Sequence, residues 1–172
     1  LLQARNYLQN LKNVLATGYV NRPNILLAAR EILSSIGEAH AAYNSVNILV
    51  NNNIKATFID LCGFEDPEYL TIDERIHKAF TGLDFSSSLP IVTGYTKGTE
   101  GIMREFDRGY SEVTFSKVAV EVKADEAIIH KEFHLSSADP NIVGLEKSIP
   151  VCYTNFNVAD QLADIGMEAI HP

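Results

Sequence analysis

Apolar residues at Leu1, Leu8, Leu11 and Leu15, with polar residues between them, set a helical period. TGYVNRPN at 17–24 then supplies the glycine and proline that end it. From Asn24, which can serve as N-cap, a second helical pattern covers residues 25–53, with Gly37 the point where a kink or break is expected. The period then changes. KATFIDLC at 55–62 alternates and is β-rich, LTIDERIHKAF at 70–80 is helical with Thr71 as cap, and LPIVTGY at 89–95 reads as a short buried strand. Residues 94–109 form the longest irregular stretch and are glycine-rich. Residues 111–124 read as a helix opened by Ser111 and Glu112, 126–133 as a strand, and 157–166 as a helix stopped by Gly166. Strands separated by helices imply an α/β sandwich, a mainly parallel sheet covered on both faces.

Composition narrows the function classes. The chain has 172 residues, 46% of them hydrophobic and 21% charged, enough for one well-buried domain or a large piece of a bigger one. A net charge of -8, with 14 scattered Lys and Arg, lacks the basic footprint of a nucleic-acid binder. Cys62 and Cys152 are too few and too far apart for a disulfide framework, which favours the cytoplasm. No apolar run approaches the ~20 residues of a membrane span, and nothing marks secretion. The chain enters its first helix without an initiating methionine, so it is expected to be a piece of a longer protein.

Two features carry chemistry. His130 and His134 flank Glu132, the spacing of a zinc site if helical. On an extended strand they would stand roughly 13 Å apart, and no third ligand lies nearby, so no metal is expected there. In parallel α/β sheets, ligands bind beyond the carboxyl ends of strands. That rule selects Thr93, Gly94, Tyr95, Arg108, Gly109, Ser111 and Glu112. An arginine before a helix start can fork onto a carboxylate, with a serine hydroxyl and free amides beside it. The same residues also fit a plain helix cap and a solvated loop charge.

The segments PIVTGY, EFDRGYSEVTFSK, IIHKEFHLSSADP and GMEAIHP, in this order, resemble the later part of an aspartokinase catalytic domain. That family carries a TGF-type turn, a GRGGSD-type loop, a TDVDG strand end, a TADPR segment and a closing GAKVLHP. SSIGEAHAA at 34–42 is similar to the family's SFGE helix segment, which puts Glu38 at its acidic position. The wording of FDRGYSEVTFSK and IIHKEFHLSSADP looks most like the aspartokinases of ectoine biosynthesis.

The resemblance implies a three-layer αβα amino-acid-kinase fold, incomplete over these 172 residues. It implies transfer of the γ-phosphoryl group of Mg2+-ATP to the side-chain carboxylate of L-aspartate, in a cytoplasmic enzyme that is a homodimer when full-length. Arg108 would hold the substrate α-carboxylate and Glu38 its ammonium. Thr93, Gly94 and Tyr95 would wall the pocket, and Gly109, Ser111 and Glu112 would complete it. His130, Lys131, Ser136, Asp139 and Pro140 would lie on the nucleotide side. The carboxylate acceptor is already ionised at neutral pH, so no general base is required.

Departures from the family pattern are specific. Nothing in residues 1–30 resembles the family's glycine-rich strand with its transition-state lysine. Residues 1–172 are therefore expected to be a partial catalytic domain that is inactive alone, lacking that strand and any C-terminal ACT domains. Glu112 stands for an aspartate and Tyr110 for a glycine. His130-Lys131 stand for Thr-Asp, Ser136 for an aromatic and Asn141 for an arginine. Two other readings stay open: a non-catalytic paralogue of the fold, and a kinase for glutamate or an N-acylated amino acid.

Overall fold

The computed structural model describes residues 2–66, 68–106, 109–130, 136–138 and 140–164, of 162–164 the backbone only. They fall into two compact units, residues 1–124 and 125–172. The first contains α1 (Leu2–Ala16), α2 (Arg22–Asn51), β1 (Ala56–Ile59), α3 (Ile72–Phe80), β2 (Leu89–Val92), α4 (Ile102–Phe106) and α5 (Tyr110–Glu121).

β1 and β2 pair in parallel, from Ala56 opposite Leu89 to Ile59 opposite Val92, and α3 lies on the connection between them. Successive side chains on a strand point to opposite faces, so each face of the pair needs its own cover. On one face Phe58 meets Tyr43 of α2 edge-on, with ring centroids 5.9 Å apart. On the other, Ile59 and Val92 join a cluster with Ile72, Ile76 and Phe80 of α3. Helix, sheet and helix form the layers expected of the α/β class.

Local signals explain most boundaries. At α3, the Thr71 hydroxyl accepts from the Glu74 amide at 3.2 Å and the Glu74 carboxylate accepts from the Thr71 amide at 2.8 Å, a reciprocal capping box. α2 starts earlier than expected. Its N-cap is Asn21 rather than Asn24, because Pro23 suits a first helical turn, where its missing N–H is not needed. α2 also runs unbroken through Gly37. A Cβ at residue 37 would meet nothing within 4 Å, so Gly37→Ala should raise stability by about 0.5–1 kcal/mol, readable by urea unfolding.

The stretch 94–109 is less irregular than its glycines suggest, since it contains α4. Arg75, 3% exposed, ties the two strand-end loops together. Its Nε donates to the Lys97 carbonyl at 2.6 Å, one terminal nitrogen to Asp66 at 2.6 Å and the other to the Glu68 carbonyl at 3.0 Å. The backbone bond to Glu68, with Arg75 beside it, holds the Asp66 carboxyl below its ordinary range.

The second unit holds α6 (Pro140–Val143), a 3-10 turn at Leu145–Lys147 and α7 (Phe156–Asp164). The strand expected at 126–133 is not formed over its described part, residues 126–130. Ile128 and Ile129 are 59% and 40% exposed, and β-propensity alone makes no strand without a partner edge. Residues 131–133, His134 and the helix stop at Gly166 lie outside the described residues. No helix among the described residues is long and apolar enough to cross a membrane.

Candidate functional site

The carboxyl end of β2 leads into Thr93, Gly94 and Tyr95, which sit against α2 and the start of α5. Thr93 is fully buried. Its hydroxyl accepts from the Leu61 amide at 3.0 Å and donates to the Tyr95 carbonyl at 2.9 Å, so it braces the turn from beneath. Gly94 is where three elements converge. A Cβ there would lie 2.6 Å from Glu38 Oε2 and 3.0 Å from Ser111 Oγ. A side chain at residue 94 would have to push both groups aside, so glycine is what lets them approach this closely.

Glu38, half-buried on α2, accepts from the Ser111 hydroxyl at 3.1 Å. Among the described residues no lysine or arginine pairs with it. Its charge faces a neutral donor, which leaves it able to take a cation. Ser111 is not the cap of α5, as the sequence suggested. The N-cap is Gly109 in the left-handed region, φ 82°, and makes no side-chain cap bond. Starting the helix there puts Ser111 inside the first turn and frees its hydroxyl for Glu38. Glu112, in the same turn, adds an acidic side chain near the helix start.

Tyr95 is 4% exposed, and its hydroxyl donates to Glu31, also on α2. Burial raises its phenol well above the ordinary range, and the Glu31 carboxylate adds to the effect. Tyr110 packs edge-on against Tyr95 at 5.9 Å; burial raises its phenol too, with Glu38 contributing. Beneath them the Cys62 thiol is pushed up by burial and by Asp60. Tyr95 also lines a cavity of about 260 Å3 with Glu31, Cys62, Gly63, Lys97 and Gly101, whereas Glu38, Gly94 and Ser111 do not. Burial, with Arg75 nearby, lowers the Lys97 ammonium, and Lys97 donates to the Asp66 carbonyl at 2.9 Å.

Glu38, Thr93, Gly94, Tyr95, Gly109, Ser111 and Glu112 therefore lie within one unit, along α2, the end of β2 and the start of α5. Arg108 lies outside the described residues, as do Lys131 and Asp139. His130 is exposed, Ser136 is buried in an antiparallel bridge to Pro150, and Pro140 opens α6. Glu31 and Arg75 went unnoticed in the sequence. Glu31 precedes Glu38 by two helical turns and so shares its face, the one signal that could have marked it. No group of three metal-binding side chains gathers among the described residues. Mg2+ delivered with a nucleotide keeps several waters and needs only one or two carboxylates besides phosphate, so its chemistry is compatible with such a surface.

Comparison with known proteins agrees with this architecture. The pattern of the Amino acid kinase family matches residues 3–172. The chain is 48% identical over 169 residues to the aspartate kinase Ask_Ect of Stutzerimonas stutzeri (strain A1501), covering 98% of this chain and 36% of that protein. It is 27% identical over 154 residues to an aspartokinase of Schizosaccharomyces pombe (strain 972 / ATCC 24843), covering 83% of this chain and 29% of that one. The chain thus spans about a third of the length of the curated relatives it matches. No solved structure matches it. A family pattern that holds from residue 3 to residue 172, over a parallel sheet layered between helices, shows that the chain belongs to the amino acid kinase family.

Proposed function

We propose that the protein carrying this chain phosphorylates L-aspartate on its side-chain carboxylate, with ATP as donor. A carboxylate oxygen of aspartate attacks the γ-phosphorus, the bond from that phosphorus to the β,γ-bridging oxygen breaks, and ADP leaves with 4-phospho-L-aspartate as product. The observation that carries this reading is Glu38, bonded to Ser111 and set against Gly94, with no cationic partner among the described residues. It is placed to take the ammonium of an amino acid, while Arg108 would fork onto the α-carboxylate. Gly94 and Tyr95 would wall the pocket, Thr93 would brace the turn, and Gly109 and Glu112 would complete the helix-start side. Catalysis is then positioning plus neutralisation of charge on the transferred group.

Mg2+ bound with ATP supplies charge neutralisation at the phosphates. Lys131 and Asp139, with His130, Ser136 and Pro140, are our candidates for the nucleotide side. The wording shared with ectoine-associated aspartokinases supports that pathway, and two free cysteines support a cytoplasmic enzyme. We read it as a homodimer by analogy with its family.

The complete reading frame should release ADP from ATP when given L-aspartate, with hydroxylamine trapping the acyl phosphate as a hydroxamate. N-acetyl-L-aspartate, lacking the ammonium, should be poorer by about 100-fold in kcat/KM. Equal or better turnover of the acetylated compound would overturn the assignment of Glu38.

A further inference from the structure

We infer that Glu31 is a positioning residue for the acceptor pocket, holding Tyr95 and the start of α4 in place while making no contact with substrate itself. The inference rests on the aspartate reading above and extends it to a residue outside the matched motifs. Three observations converge. The Tyr95 hydroxyl donates to one Glu31 oxygen, and the Met103 amide donates to the other at 3.0 Å. Gly101, at φ 75°, brings its backbone so close that a Cβ would lie 3.2 Å from Glu31 Oε1.

A surface carboxylate would be hydrated and free to swing. This one is half-buried, with each oxygen receiving a donor from a different point of the β2–α5 connection. Tyr95 follows Gly94 directly, and its ring supports Tyr110 at the start of α5. α4, held through Met103, ends at Phe106, just before the segment that contains Arg108. Glu38 and Glu31 sit seven residues apart on one helix face, about two turns. One rigid rod thus carries the carboxylate facing the substrate and the carboxylate fixing the opposite wall.

In the complete reading frame, Glu31→Ala should raise the KM for L-aspartate about tenfold or more and leave the KM for ATP within about twofold, a misplacement effect. Glu31→Gln, which can still accept from Met103 and exchange a hydrogen bond with Tyr95, should restore most of the aspartate affinity. Tyr95→Phe should repeat part of the loss, and adding it to Glu31→Ala should cost less than the two single effects combined. A purely structural role would move both KM values together or only the melting temperature, and either result would overturn the inference.

The geometry has an independent readout in the complete reading frame: a slowly exchanging Tyr95 hydroxyl proton in the NMR spectrum, lost in Glu31→Ala. If that proton is present and Glu31→Ala leaves the aspartate KM unchanged, the inference fails while the functional reading stands. If the unsubstituted enzyme does not phosphorylate aspartate, the functional reading fails and takes this one with it.

Discussion

Arg75→Met should cost the first unit about 3 kcal/mol of unfolding free energy, measured by urea titration of this chain. The side chain is 4% exposed and satisfies three acceptors: the Asp66 carboxylate and the carbonyls of Glu68 and Lys97. Methionine would fill much of the volume and leave both carbonyls without a donor. Asp66, whose side chain is 30% exposed, can recover water, so the loss falls mainly on the backbone. Arg75→Lys should retain little of the difference, because a single ammonium cannot span acceptors arranged around a planar fork. A change below about 1 kcal/mol in both variants would mean that the strand-end loops hold together without it.

Gly94→Ala should separate folding from catalysis. The φ at residue 94 lies outside the left-handed region, so alanine meets no backbone penalty there. The groups it would crowd are the Glu38 carboxylate, 2.6 Å from the added carbon, and the Ser111 hydroxyl, 3.0 Å away. Both are ends of side chains and can swing aside, so stability should stay within about 1 kcal/mol of the parent. The displaced carboxylate would no longer meet the substrate ammonium. In the complete reading frame, kcat/KM for L-aspartate should fall about 100-fold, with the KM for ATP unchanged. Unaltered aspartate kinetics would remove Glu38 from the pocket.

Parts of this architecture are legible from short-range chemistry. Thr71 announces α3 because an N-cap acts within the first turn of its own helix, and the two strand-like runs announce β1 and β2. The parallel pairing follows from the helix between them. Where an outcome depends on distant residues, local pattern fails. Ser111 has the right type for an N-cap, yet a left-handed Gly109 takes that place and the hydroxyl turns to Glu38, 73 residues away. Residues 126–130 have the composition of a strand but pair with no edge among the described residues. Glu38 was reachable through family resemblance. Glu31 and Arg75 belong to no quoted motif, and their roles exist only once remote loops have come together.

The unbroken course of α2 sets a rule about spacing rather than residue type. Each residue of an α-helix advances about 1.5 Å and turns about 100°. Inserting one residue between Glu31 and Glu38 would therefore rotate one carboxylate off the face that the other occupies, with both side chains intact. Lineages descending from this chain can exchange many residues along α2, but are expected to keep its seven-residue interval, and gaps in related sequences should collect on either side of it.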